Sequence, residues 1–130
     1  MATLTIPMRA IGKARPRLGR NGTYTPEATK AAQNQIGWEW AAAFSGPPLV
    51  GPIRLTIRAE YTPPASWSAK KRQAAMGTWK TTKPDFDNVA KLVGDALNNV
   101  AFGDDAQVAD ASIEKVFGPE DKIIITVESI

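Results

Sequence analysis

Ile53-Arg-Leu-Thr-Ile-Arg-Ala-Glu-Tyr61 alternates apolar and polar side chains without a break. A period of two puts Ile53, Leu55, Ile57, Ala59 and Tyr61 on one face of a strand, against a core. The mostly basic Arg54, Thr56, Arg58 and Glu60 fall on the other, in water. Downstream, from Asp87 onward, Val89, Leu92, Val93, Ala96, Leu97 and Val100 recur at helical spacing, which predicts an amphipathic helix ending near Asn98-Asn99. Upstream, Thr25-Pro26-Glu27 is a helix start: Thr accepts from free N–H groups, Pro fits the first turn, and Glu complements the positive helix end. That helix is expected to run to about Ser45, with Ala28, Ala32, Ile36, Trp40, Ala43 and Phe44 available for burial, and to stop at Gly46-Pro47-Pro48.

Around these anchors, Leu4 and Ile6 alternate with Thr3 and Thr5 in a short first strand, followed by a basic loop from Lys13 to Gly22. Residues 62–82 form a long connection with a short helix at 68–76 that carries Lys70, Lys71 and Arg72. Two final strands, 108–117 and 122–128, are predicted to form a hairpin about Gly118-Pro-Glu-Asp121. Strands and helices mix without regular alternation. The expected fold class is therefore α+β: one compact domain, residues 1–130, with a mixed or antiparallel sheet and two main helices.

The 130 residues, 43% of them hydrophobic, suit a single domain that buries about two-thirds of its unfolded surface. Cys and His are both absent. That excludes disulfides, thiolate nucleophiles, Ser-His-Asp triads, imidazole acid-base chemistry and ordinary structural zinc sites. No stretch approaches the roughly 18 apolar residues of a membrane span, and the opening lacks the basic start and long apolar run of a signal peptide. A cytoplasmic protein with no membrane partner is expected.

Charge is segregated along the chain. Through Lys83 there are 13 basic residues against 3 acids, net +10; beyond it there are 3 basic residues against 10 acids, net −7. A basic half suits a polyanion, and a compact acidic half needs cations or contacts with the basic half. Nucleic acid plus a metal is the simplest reading; two mutually attracting halves is the other.

The acidic segment is Lys83-Pro-Asp85-Phe-Asp87-Asn88-Val-Ala-Lys91-Leu-Val-Gly-Asp95-Ala-Leu-Asn98, followed by Asp104-Asp105-Ala-Gln107. Pro84 disfavours helix at Lys83, so the chain enters extended and turns helical at about Asp85 or Asp87. Asp87, Lys91 and Asp95 fall at i, i+4 and i+8, one polar stripe opposite the apolar face. Crowded carboxylates repel unless a cation holds them ionised. A site made of Asp, Asn and Gln suits Mg²⁺, with Mn²⁺ as the alternative ion. Such a site activates water and stabilises the leaving oxygen of a phosphodiester, and Lys91 is placed to neutralise charge at phosphorus. The plainer alternatives are helix capping by Asp85 or Asp87, a solvated salt-bridge stripe at Lys91, and a simple turn at Gly103-Asp104-Asp105.

The run from Lys83 through Lys91 and Asp95-Ala-Leu-Asn98 to Asp104-Asp105-Ala-Gln107-Val108 resembles the signature of RusA-type Holliday-junction resolvases. Gly12-Lys13-Ala-Arg15-Pro16-Arg17, Tyr24-Thr25-Pro26 and Pro63-Pro64-Ala-Ser66-Trp67-Ser68 are similar to a phage-associated branch of that family. The resemblance implies a homodimer that binds four-way DNA junctions and makes paired symmetric nicks with Mg²⁺. Its catalytic acids fall on Asp85, Asp87 and Asp105, and its catalytic lysine on Lys91. Asp104 is a neighbouring metal-ligand candidate. Asn99 departs from the glycine frequent in relatives, but Asn tolerates the left-handed backbone expected there.

The residues expected to meet DNA phosphates are Lys13, Arg15, Arg17, Arg20, Lys70, Lys71, Arg72 and Lys83. Trp67, Trp79 and Phe102 are candidates to stack on unpaired bases. The dimer interface is left open between the Ile53–Tyr61 strand and the Trp38-Trp40 helix. Two rival functions remain: a less selective nuclease of flaps, branched DNA or RNA, and a junction-binding protein without catalysis.

Overall fold

A computed structural model describes residues 1–14, 17–20, 22–24 and 26–130. The elements are β1 (Ala2–Ile6), β2 (Arg17–Gly19), β3 (Gly22–Tyr24), α1 (Glu27–Ala43), β4 (Ile53–Tyr61), α2 (Ala69–Ala75), α3 (Phe86–Leu97), β5 (Val108–Phe117) and β6 (Lys122–Ser129). A single 3₁₀ turn, Asp105–Gln107, precedes β5. The expected α+β class is observed: two long helices, α1 and α3, the short helix α2 anticipated at 68–76, and a four-stranded mixed sheet in the order β1-β6-β4-β5. The two parts of the sheet differ in direction: β4 runs antiparallel to β6 and parallel to β5. A parallel pair needs a long crossover, and the chain supplies it through α2 and α3.

The alternation read from Ile53 to Tyr61 is the burial pattern observed, with Ile53, Leu55, Ile57, Ala59 and Tyr61 all buried. They join Ile123, Ile125 and Val127 of β6, Ala32, Ile36 and Trp40 of α1, and Val89, Leu92, Val93, Ala96 and Leu97 of α3 in one core. Each fully buried large side chain contributes about 1.5–3 kcal/mol. The two long helices approach closely because Gly37 has no side chain; a Cβ there would stand 3.1 Å from the Ala96 carbonyl. Helix α1 ends at Ala43, two residues early. Its buried side is narrower than expected, since Ala28 and Ala43 are exposed and Phe44 is half-buried.

The predicted hairpin between β5 and β6 does not form. Both strands pair with β4, which lies between them. Strands one place removed are about 9–10 Å apart, too far for a tight turn, so residues 118–121 step over the end of β4. The Gly118 N–H donates to the Tyr61 carbonyl at 2.9 Å, and the Asp121 carboxylate accepts from the Thr62 N–H at 2.8 Å. The basic loop after β1 is also more ordered than expected, since it contains the β2–β3 hairpin. The expected cap Thr25, Arg15 and the side chain of Arg17 lie outside the described residues. Asn99 has φ 62°, the left-handed conformation anticipated from its position.

The outer face of β4 is a lattice of ion pairs. Arg54 bonds Asp110 at 2.7 Å and Glu128 at 3.5 Å, and Arg58 bonds Glu60 at 3.2 Å and Glu114 at 3.1 Å. Arg9–Asp121 and Lys13–Asp95 likewise join the basic half to the acidic half. Mutual attraction therefore accounts for part of the charge segregation. Being internal to the sheet, β4 has no free edge to offer a second subunit.

Candidate active site

Asp85 occupies the N-cap position of α3, yet its side chain makes no capping bond. It is engaged by Lys83 instead, at 2.9 and 3.0 Å, in an exposed pair. Asp87 sits in the first turn and is exposed. Simple helix capping therefore does not account for the Asp85 carboxylate. The salt-bridge stripe is not observed either: Lys91 pairs with neither Asp87 nor Asp95, and Asp95 is paired with Lys13.

The apolar side of α3 is sealed on the core, so Asp87, Lys91 and Asp95 are left on its outer side. The chain then returns across that side. Phe102, fully buried, anchors the bend, and the Asn99 N–H donates to its carbonyl at 2.7 Å. The Asp105 N–H donates to Asn98 Oδ1 at 2.7 Å. This sets the Asp105 side chain over Gly94, with its Oδ2 3.6 Å from where a Cβ would stand. Asp105, hydrogen-bonded to Asp104, partly buried and facing the charge of Asp95, is held above its ordinary value, while Lys91 pulls it back. The structure thus places Asp105 over Gly94, within electrostatic reach of Lys91 and Asp95.

Asp104 does the work of a turn residue. Its side chain accepts from the Ala106 N–H at 3.2 Å, and its own N–H donates to Gln107 Oε1 at 3.0 Å, a reciprocal capping box. The Ala106 N–H and the bonded Asp105 hold its carboxyl below its ordinary value. Gln107 is anchored in turn, its Nε2 donating to the Leu49 and Gly51 carbonyls at 3.0 Å each. Asn98, quoted in the acidic segment without a role of its own, is the residue that orients Asp105.

The donor set here consists of hard oxygens, chemistry that fits a divalent cation such as Mg²⁺. Among the described residues, no three carboxylates come close enough together to enclose one ion.

The basic candidates divide by environment. Lys13 and Lys83 are engaged with Asp95 and Asp85. Arg20, at the β2–β3 turn, and Lys70, Lys71 and Arg72, on α2, are exposed, and none of the residues of α2 is buried. Ser68 caps that short helix by accepting from the Lys71 N–H at 3.2 Å. Lys71 Nζ also lies 4.2 Å over the ring of Trp67, which packs on Phe117 at 5.6 Å. Of the stacking candidates, Trp79 is 65% exposed, whereas Phe102 belongs to the core. Phe86, between the two acids, is equally exposed and is an aromatic the sequence reading left out.

Residues 7–128 match the family described as Endodeoxyribonuclease RusA. The chain belongs to the RusA endodeoxyribonuclease family. Nucleases of this family are metal-dependent. The chain is also similar to the uncharacterized protein YqaN of Bacillus subtilis (strain 168), 34% identical over 86 residues, which is 63% of this chain and 61% of that relative. Among the described residues, no helix is long and apolar enough to cross a membrane.

Proposed function

We propose that the protein is a homodimeric, Mg²⁺-dependent DNA endonuclease that resolves four-way junctions by paired symmetric nicks. The observation that carries this reading is the return of Asp105 over Gly94 of α3, within electrostatic reach of Lys91 and Asp95 on that helix's outer stripe. An acid from a separate stretch of chain comes within electrostatic reach of the one lysine of that stripe, and Asp85 and Asp87 stand at the start of the same helix.

Mg²⁺ takes one or two carboxylates and completes its shell with water and phosphate oxygens. Asp85, Asp87 and Asp105 are the candidates from which one or two carboxylates would hold it, and when bound it would supply charge neutralisation and an activated water for phosphodiester hydrolysis. Lys91, left without an ion-pair partner on its own helix face, is available to stabilise charge building on the phosphoryl oxygens. Asp104 contributes by orienting the turn that presents Asp105. Arg15, Arg17, Arg20, Lys70, Lys71 and Arg72 hold duplex arms by their phosphates, which makes binding salt-sensitive. Trp79 and Phe86 offer faces for unpaired bases. A junction has two-fold character, so a two-fold dimer supplies the second active site.

The test compares synthetic four-way junctions with plain duplexes, with and without Mg²⁺, for the parent and Asp87→Asn. Symmetric nicking of junctions alone, lost in the variant while binding survives, is expected. Equal cutting of every substrate would show a less selective nuclease, and binding without cutting a non-catalytic junction binder.

A further inference from the structure

Lys115 is one of only three basic residues in the acidic half of the chain. It lies on β5 in register with the fully buried Ala59, so its side chain leaves the sheet on the face that carries the core. An ammonium there needs acceptors. It finds two: Nζ donates to the Thr82 carbonyl at 2.7 Å and to the Pro84 carbonyl at 2.5 Å. These two carbonyls flank Lys83, and the second belongs to the residue directly before Asp85.

The backbone around it explains why a side chain is required. Residues 77–80 run along the outer edge of β5: the Gly77 N–H donates to the Phe117 carbonyl at 2.9 Å, the Phe117 N–H to Thr78 at 3.0 Å, and the Lys80 N–H to Lys115 at 2.8 Å. Beyond Lys80 this run of backbone bonds to β5 ends, and the chain must still cross to the start of α3. The Lys115 ammonium spans that gap. From the other side Gly12 presses on the same place, where a Cβ would stand 3.3 Å from Pro84 and 3.0 Å from Asn88. The Lys13 N–H donates to the Asn88 carbonyl at 2.9 Å.

We propose that Lys115 is a positioning residue that fixes the entry to α3, and through it Asp85 and Asp87, by holding the Thr82 and Pro84 carbonyls. This deepens the nuclease reading and rests on it. Lys115→Met keeps the aliphatic stem and removes the donors, and Lys115→Arg restores donors on a planar group. Three measurements decide: single-turnover junction cleavage with Mg²⁺, junction affinity in the absence of Mg²⁺, and amide exchange of Val89, whose N–H donates to the Asp85 carbonyl at 3.2 Å.

Lys115→Met is expected to cut about 10- to 100-fold more slowly, the scale set by small misplacements of reacting groups. Junction affinity should stay within about twofold, since the ammonium is spent on carbonyls rather than on phosphates. Exchange at Val89 should speed up while the β4 amides stay as in the parent, and Lys115→Arg should recover most of the rate. Parent-like cleavage and exchange in Lys115→Met would overturn the proposal, as would an affinity loss as large as the rate loss. If Lys115→Met fails to fold, Lys115→Gln, which keeps one donor group, is read by the same three measurements. If the parent cuts no junction, the nuclease reading falls, while faster exchange at Val89 alone would still uphold the positioning role.

Discussion

The Lys13–Asp95 pair offers the sharpest quantitative test, because sequence and structure assign Lys13 different work. The sequence expectation sends Lys13 to DNA phosphate, whereas the structure packs it against Asp95, with the two side chains 18% and 20% exposed. Exposed pairs contribute about 0–1 kcal/mol, and breaking a fully buried one costs about 3–5 kcal/mol. A pair four-fifths covered lies between, so Lys13→Met should destabilise by about 2 kcal/mol. For a chain of this size that lowers the Tm by about 8 °C. Much of the loss comes from leaving the Asp95 carboxylate uncompensated beside Asp105. Adding Asp95→Asn to Lys13→Met should therefore recover about 1 kcal/mol rather than cost more. The assay is a double-mutant cycle by urea unfolding, with junction affinity measured across salt concentrations in parallel. Single-variant effects that simply add, within about 0.5 kcal/mol, would refute the reasoning. So would a fall of about one in the salt slope for Lys13→Met, the mark of a lost phosphate contact.

Two further outcomes follow from individual groups. Tyr61 carries a fully buried hydroxyl with no hydrogen-bond partner among the described residues, and burial pushes it up to about 12. Tyr61→Phe should stabilise by about 1 kcal/mol in thermal melts at neutral pH. A phenol whose folded value is raised favours the folded state less as pH climbs from its ordinary value of about 10 towards 12, so the parent should lose stability over that window and the Phe variant should lose less. At the candidate active site, Asp104 is the largest cause holding Asp105 above its ordinary value. In metal-free protein, Asp104→Asn should therefore let Asp105 ionise at lower pH, followed by carboxyl NMR; a shift upward would contradict the coupling.

What could be read from the chain alone was whatever depends on neighbours close in sequence. The period of two from Ile53 to Tyr61 fixes a buried face wherever the strand ends up, and the spacing from Val89 to Leu97 seals one side of α3 and leaves Asp87, Lys91 and Asp95 on the other. The left-handed Asn99 is of the same kind, as is the short helix after Ser68, because capping and turn preferences act within a few residues. Strand order was not of that kind. Insertion of β4 between β5 and β6 satisfies backbone bonds contributed by distant segments, and Gly118-Pro-Glu-Asp121 carries the same turn chemistry whether it closes a hairpin or steps over a strand. Only tertiary packing decided that Asp105 rests over Gly94, that Asp104 spends its carboxylate on a turn, and that Lys13 and Lys115 serve protein groups. A charged side chain does not specify its partner: charge acts through space, and the chain sets its reach only after the core has brought remote segments together.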